Sequence, residues 1–398
     1  MSPLLPPESA LEKMLAAIQP ISASETLPLA NLAGRILAED QVAGVDVPPA
    51  DNSAMDGYAL RLVDQGRALK ISQRIAAGHA PQPLAAGSCA RIFTGGEIPP
   101  GADGVVMQEK VSLDDQGRAV MPEGLEAGQN IRPRGQDIQA GQLLLQKGTQ
   151  LDYRHLGLLA SVGLAEAAVL RRPRVALLAT GDELVSPGQP LKPGQIYNSN
   201  RPLLTGLLHE LGAEVIDLGP IADTREATEA ALRQAAEQAD LILSTGGVSV
   251  GEEDHIKPAV ENLGELYLWR LAMKPGKPVA FGKLGKAAFL GLPGNPVSMF
   301  VGSQIFLRPL LARLAGNRED WQPRWLRGQA HFSAKTQVRQ EYLRVRAESN
   351  SNGGWQLASH ANQNSGVLSS VVWANALALV PPETEIQPGD EVDFWFYS

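Results

Sequence analysis

One cysteine, Cys89, in 398 residues leaves nothing from which to build a disulfide frame or a cysteine-based metal centre, so a reducing compartment fits the chain. Histidine is scarce too. His79, His155, His209, His255, His331 and His360 show no ligand spacing, and there is neither a paired-histidine zinc helix nor a Gly-x-Ser-x-Gly elbow. Zinc hydrolysis and serine-nucleophile chemistry therefore lack their residues. Positive charge is in deficit: 35 Lys and Arg against 43 Asp and Glu give a net charge of −8. That balance disfavours a duplex-binding face, while leaving room for a local basic pocket. No apolar run approaches the ~18 residues of a membrane span. The opening stretch MSPLLPPESALEKML has no basic n-region and no long apolar core, so it does not read as a secretory signal. The expectations are no nucleic acid, no membrane and a cytoplasmic setting.

What the chain does have is glycine (40) and proline (29), a sign of many sharp turns. Residues 9–19 read as a helix, with Ser9 as N-cap, Glu12 three residues on, and Leu11, Leu15 and Ile18 on one face. Residues 31–40 read as a second short helix and 152–161 as a third. Between them, short apolar pieces (69–71, 89–93, 105–108) separated by Gly/Pro turns predict a β-rich insertion, with the flanking helical pieces belonging together. After a linker at 171–173, strands at 174–180, 213–219, 240–247 and 286–292 alternate with helices at 199–211, 224–238 and from Pro296, which predicts a mostly parallel sheet covered on both faces. Beyond 324, short strands and turns such as SNSNGG and QPGD predict a small β-barrel. The fold class expected is multidomain α/β plus β, elongated. Residues 1–42 with 141–170 form a helical linker domain, 43–140 the insertion, 171–323 the α/β domain and 324–398 the barrel.

Ligands of open parallel sheets bind beyond the carboxyl ends of the strands, and three such ends carry unusual loops. The first, Thr180-Gly181-Asp182-Glu183, delivers two carboxylates to the rim. The second runs from Ser244 through Gly246, Gly247, Ser249, Gly251 and Asp254. It has the glycine spacing that opens a Walker A motif, but acids stand where Lys and Ser/Thr belong, which points to a cation such as Mg²⁺ bridging phosphate oxygens. The third is Gly291-Leu292-Pro293-Gly294-Asn295-Pro296, where Asn295 is placed to cap a helix and Pro296 suits its first position. One such loop would be an ordinary connection. Three on one sheet favour a phosphoryl ligand. Next to them, Lys274 and Lys277 flank a Pro-Gly turn, with Arg270 just before, an arrangement suited to an anion of two or more charges.

The runs DNSAMDGYA, RIFTGGEIPPGADGVVMQE, ATGDELV with PGQIYNSN, STGGVSVGEEDHIK, MKPGKPVAFG and GLPGNPVS together resemble the molybdopterin molybdenumtransferases of the bacterial MoeA type, relatives of the gephyrin E domain. The resemblance spans about residues 8 to 396. It implies an elongated homodimer whose site lies between subunits and is closed by the partner's insertion. The implied reaction combines adenylyl-molybdopterin and molybdate, with a divalent cation, to give molybdenum–molybdopterin and AMP. It also names molybdopterin adenylyltransferase as a candidate partner.

Carried over position by position, the resemblance makes Glu183 and Asp254 the acids of the metal (Mg²⁺) and pyrophosphate, with Asp182 their neighbour and Asp223 another functional acid. Ser249 belongs to the nucleotide-phosphate loop, Asp56 and Thr94 to the inserted domain, and Lys274 to anion binding, with Lys277 in its turn. Arg344 and Ser365 match positions of molybdate or pterin contact. Arg270 stands where lysine is expected and presents a planar fork instead. Two rival readings are a molybdopterin adenylyltransferase, which the α/β part alone resembles, and a non-catalytic scaffold of the gephyrin kind.

Overall fold

The computed structural model describes residues 4–219, 221–222, 224–247, 255–318, 322–351 and 353–397. At its centre is a six-stranded mixed sheet in the order Glu214–Asp217, Arg174–Ala179, Leu241–Thr245, Ala287–Leu292, Pro278–Leu284, Glu265–Arg270. The first four strands are mutually parallel, and Pro278–Leu284 runs antiparallel to both its neighbours, Ala287–Leu292 and Glu265–Arg270. The near-continuous apolar runs of the inner strands follow from coverage of both faces. Val175, Leu177, Leu241, Leu243, Leu290 and Leu292 point to the layer formed by Asn200–Glu210 and by the helix that starts at Pro296. Ala176, Leu178, Ile242 and Phe289 point to Arg225–Gln238 and Ile256–Leu263. Each of these large side chains, fully buried, contributes about 1.5–3 kcal/mol.

The first helix, Pro7–Ala17, begins two residues before the expected Ser9 cap. Pro7 occupies its first position, where a missing N–H costs nothing. It does not pair with Tyr153–Ser161: its buried Ala10 and Met14, with Ile18, complete the central core. What joins the two flanks of the insertion is sheet and turn. Ser24–Pro28 pairs antiparallel with Glu166–Leu170, and the Leu37 N–H donates to the Thr149 carbonyl at 3.0 Å. The short helix expected at 31–40 is absent. Only one 3-10 turn forms, Leu29–Asn31, capped at Leu32, and the chain then reverses at Gly34 with φ +74°. Tyr153–Ser161 is a helix, opened by a capping box in which Asp152 accepts from the Arg154 and His155 N–H groups while His155 Nδ1 accepts from the Asp152 N–H. That gives His155 a structural employment.

The insertion is a six-stranded sheet ordered Gly104–Met107, Gly57–Leu60, Ser88–Ile92, Ala68–Ile75, Ala119–Val120, Ser112–Leu113. Cys89 lies in its core, fully buried, and burial pushes the thiol up to about 11. The native protein is therefore expected to give no reaction with a disulfide-exchange reagent at pH 8, and one thiol per chain after unfolding in denaturant. Reaction of the native chain at the rate of a free thiol would contradict this burial.

The last region closes into a five-stranded barrel: Gln340–Ser349, Trp355–Ser359, Leu326–Ala330, Glu391–Phe396 and Ala376–Val380, the last pairing back on the first. A short strand of the central unit, Met273–Lys274, pairs parallel with the start of Gln340–Ser349 and stitches barrel to sheet. No helix among the described residues is long and apolar enough to cross a membrane.

Candidate functional site

A cavity of about 450 Å³ opens where that stitch lies. Its wall combines two sheet-rim loops with the basic turn and a loop of the barrel: Gly246 and Gly247, 274–278, Pro293 to Asn295 with Ser298, then Arg339 and 363–365. The rim loops leave the carboxyl ends of the adjacent parallel strands Leu241–Thr245 and Ala287–Leu292, the place where such sheets bind ligands. Glycine is required at the tip of the first. Gly246 and Gly247 sit at φ +86° and +68°, and a Cβ on Gly247 would lie 2.5 Å from Ile256 Cδ1. Ser244 fixes the turn from below, its hydroxyl donating to the Gly246 carbonyl at 3.0 Å.

In the second loop Asn295 occupies the N-cap position and Pro296 the first helical position, as expected, but the Asn295 side chain makes no capping bond. The helix start is held instead by the barrel, since the Val297 N–H donates to the Ser365 carbonyl at 3.0 Å. Asn200 Nδ2 donates to the Gly294 carbonyl at 2.7 Å and anchors this loop from the side of the sheet's first crossover. The Pro296–Gly302 helix runs on through a π-helical stretch, Ser303–Leu307, into Arg308–Leu314.

Three cations meet in the cavity wall. Lys274 and Lys277 come from the Pro-Gly turn, where Gly276 at φ +98° allows the reversal, and Arg339 comes from the barrel. The Lys274 ammonium lies 2.9 Å from Glu341 Oε1. Lys277 and Arg339 have no ion pair among the described residues. The rest of the wall is glycine-loop backbone with Asn295, Asn364 and Gln363, the Gln363 amide being held by Arg344, Ser359 and His360. Such a wall binds anions and a polar, phosphorylated ligand.

Of the residues singled out in the sequence, the cavity brings together Gly246, Gly247, Lys274, Lys277, Pro293, Gly294, Asn295 and Ser365. Asp182 and Glu183 lie exposed after the neighbouring strand and are not part of its wall. The Glu183 carboxylate folds back over Gly181, where a Cβ would meet its Oε2 at 2.5 Å. Arg270 is exposed on the edge strand, also outside the wall. Asp223, Ser249, Gly251 and Asp254 lie outside the described residues.

Arg344 is 1% exposed inside the barrel and donates to Ser370 Oγ and to the carbonyls of Asn362 and Asn364, so it touches the cavity only through the loop it holds. Burial lowers its guanidinium to about 10, which leaves it cationic at neutral pH. Asp56 and Thr94 meet in the insertion. The Thr94 N–H and hydroxyl both donate to Asp56 Oδ1 at 2.8 Å. Those two bonds, with help from the charge of Arg91, hold the Asp56 carboxyl below its usual range, so it is ionised across neutral pH. Arg339, Ser298 and Asn200 were not legible as site residues in advance. Arg339 precedes its strand by one residue, and no spacing rule marks it.

The chain matches three family regions in order: the MoeA N-terminal region (domain I and II) over residues 5–163, a probable molybdopterin binding domain over 176–313, and the MoeA C-terminal region (domain IV) over 324–397. A protein of Haemophilus influenzae named molybdopterin molybdenumtransferase is 41% identical over 380 residues, 94% of each chain. One of the same name from Nostoc sp. is 36% identical, covering 90% of this chain and 85% of its own. Two solved structures of a molybdopterin biosynthesis MoeA protein from Pyrococcus horikoshii superpose with TM-scores of 0.87 and 0.84 at 30% and 29% identity, over 100% and 99% of this chain and 100% of theirs.

Proposed function

This chain belongs to the molybdopterin molybdenumtransferase family, and on that premise we propose that the cavity is where molybdate is inserted into adenylyl-molybdopterin, with release of AMP. The observation that carries the reading is the meeting of three cations and two glycine loops at the rim of the sheet. The two loops receive the phosphate bridge of the nucleotide–pterin substrate through the backbone N–H groups of Gly247, Gly294 and Asn295, the Gly246 N–H being taken by the Leu292 carbonyl. Lys277, Arg339 and Lys274 receive molybdate, with Ser365 on the barrel side. Holding both in one cavity makes their encounter effectively intramolecular.

Mg²⁺ belongs to the same proposal. Among the described residues no three His, Cys, Asp or Glu side chains cluster as a closed metal site. An exposed carboxylate at a strand end, Glu183, is nonetheless the hard oxygen donor that Mg²⁺ takes in ones or twos alongside substrate phosphates. Glu183 and Asp254 would hold it, with Asp182 next to Glu183 in sequence and Asp223 a further functional acid. When bound, the ion would neutralise charge on the phosphate bridge. A cytoplasmic homodimer completes the reading: the partner's insertion, with its ionised Asp56 braced by Thr94, closes the cavity. Substrate arrives from a molybdopterin adenylyltransferase. The unit boundaries at 42/43, 140/141, 170/171 and 323/324 are part of this proposal, with Pro7–Ala17 docked on the central unit.

Hydrolysis and insertion are coupled in this scheme, because the oxyanion sits beside the bond that breaks. AMP release from adenylyl-molybdopterin is expected to rise about tenfold or more when molybdate is added, a difference of roughly 1.4 kcal/mol in the barrier. Chelation of Mg²⁺ is expected to suppress it. Equal AMP release with and without molybdate would remove the coupling.

A further inference from the structure

The cation of the cavity that sequence reasoning ranks first is the one already paired. Lys274 Nζ lies 2.9 Å from Glu341 Oε1, with side chains 50% and 18% exposed. Glu341 is the fixed member. It sits in Gln340–Ser349 with its backbone in register with Lys274 on one side and Val380 on the other, so its carboxylate is carried to this place by two strand pairings. Lys274 is the longer and more exposed partner. Lys277 and Arg339, in the same wall, have no such acid among the described residues. Glu341 is not itself part of the wall, but it neutralises one of the three cations of the wall and so opposes the ligand that this cation would hold.

We infer that Glu341 is an internal counter-anion that competes with the incoming oxyanion for Lys274 and so holds down the affinity of the cavity for anions. A singly charged ion that displaces Glu341 exchanges one unit charge for another and gains nothing from Lys274. A doubly charged tetrahedral oxyanion gains, because it engages Lys274 together with the unpaired Lys277 and Arg339. The cost of displacing Glu341 falls on every anion that takes Lys274, so the residue lowers the affinity of the cavity for anions of either charge. The inference rests on the reading of this cavity as the oxyanion site.

The test is equilibrium binding of sodium molybdate to the full chain, at constant ionic strength, with sodium chloride as competitor. In Glu341→Gln the side-chain shape and a Lys274 contact persist while the charge is lost. Molybdate is expected to bind about three- to tenfold more tightly and chloride to compete at several-fold lower concentration. The gain is expected to be at least as large for molybdate, which carries twice the charge of chloride. Glu341→Ala is expected to show the same two shifts, and Lys274→Met with Glu341→Gln to bind no better than Lys274→Met alone. Molybdate binding that is unchanged or weaker in both Glu341 variants, at a melting temperature within about 2 °C of the parent, would overturn the inference and make Glu341 a holder of Lys274. A parent chain that binds no molybdate would overturn the cavity reading itself.

Discussion

Replacing Arg339 with alanine is expected to cut molybdenum insertion about a hundredfold, chiefly as a higher KM for molybdate. Arg339 is half-buried in the cavity wall and has no carboxylate partner among the described residues, so its charge is unspent in the free protein. A charge-assisted bond of this kind contributes about 1.5–3 kcal/mol, and each 1.4 kcal/mol is about tenfold in affinity. A group that holds the oxyanion before and during reaction alike raises KM more than it lowers kcat when removed. Arg339→Lys keeps the charge but loses the planar fork, and is expected to lose about tenfold. Initial rates against molybdate concentration check both variants. A KM for molybdate within twofold of the parent in Arg339→Ala would show that Lys277 and Lys274 suffice.

Much of this could be read in advance wherever the signal is local. The central sheet was legible because RVALLA, LILST and AAFLGL are near-continuous apolar runs, as strands covered on both faces are. The glycine loops were legible because each follows such a strand, and a positive φ at Gly246 and Gly247 leaves few residues to choose from. The failures are tertiary. Residues 31–40 have helical spacing, but bonds from Gly34 and Leu37 to Leu151 and Thr149 draw that backbone into turns against the returning chain. Pro7–Ala17 was assigned to the wrong neighbour because an amphipathic helix says only that one face is buried, not against what. Arg339 and Asn200 enter the site through the pairing of Met273–Lys274 with the barrel and through one bond to Gly294, neither of which has a counterpart in sequence spacing. Arg344 was legible as a residue of consequence but not for the right reason, since sequence does not distinguish a cation facing ligand from one that faces the interior.

That difference has a measurable consequence. Arg344→Ala is expected to destabilise the barrel by about 3–5 kcal/mol, because it opens a cavity and removes the donor that buried Ser370 and two loop carbonyls share. The acceptors are Ser370 Oγ at 3.1 Å and the carbonyls of Asn364 and Asn362 at 3.3 and 3.4 Å. The melting temperature is expected to fall by about 5–10 °C or more. The same bonds hold the loop that carries Gln363, Asn364 and Ser365 into the cavity wall, so the KM for molybdate is expected to rise as well. Arg344→Met separates packing from bonding. It refills most of the volume and is expected to recover part of the lost stability, yet it gives the loop carbonyls no donor and leaves KM high. Had Arg344 served mainly as a charge for the ligand, both variants would bind molybdate poorly and melt with the parent. An unchanged melting temperature in Arg344→Ala would therefore return it to the role of direct contact.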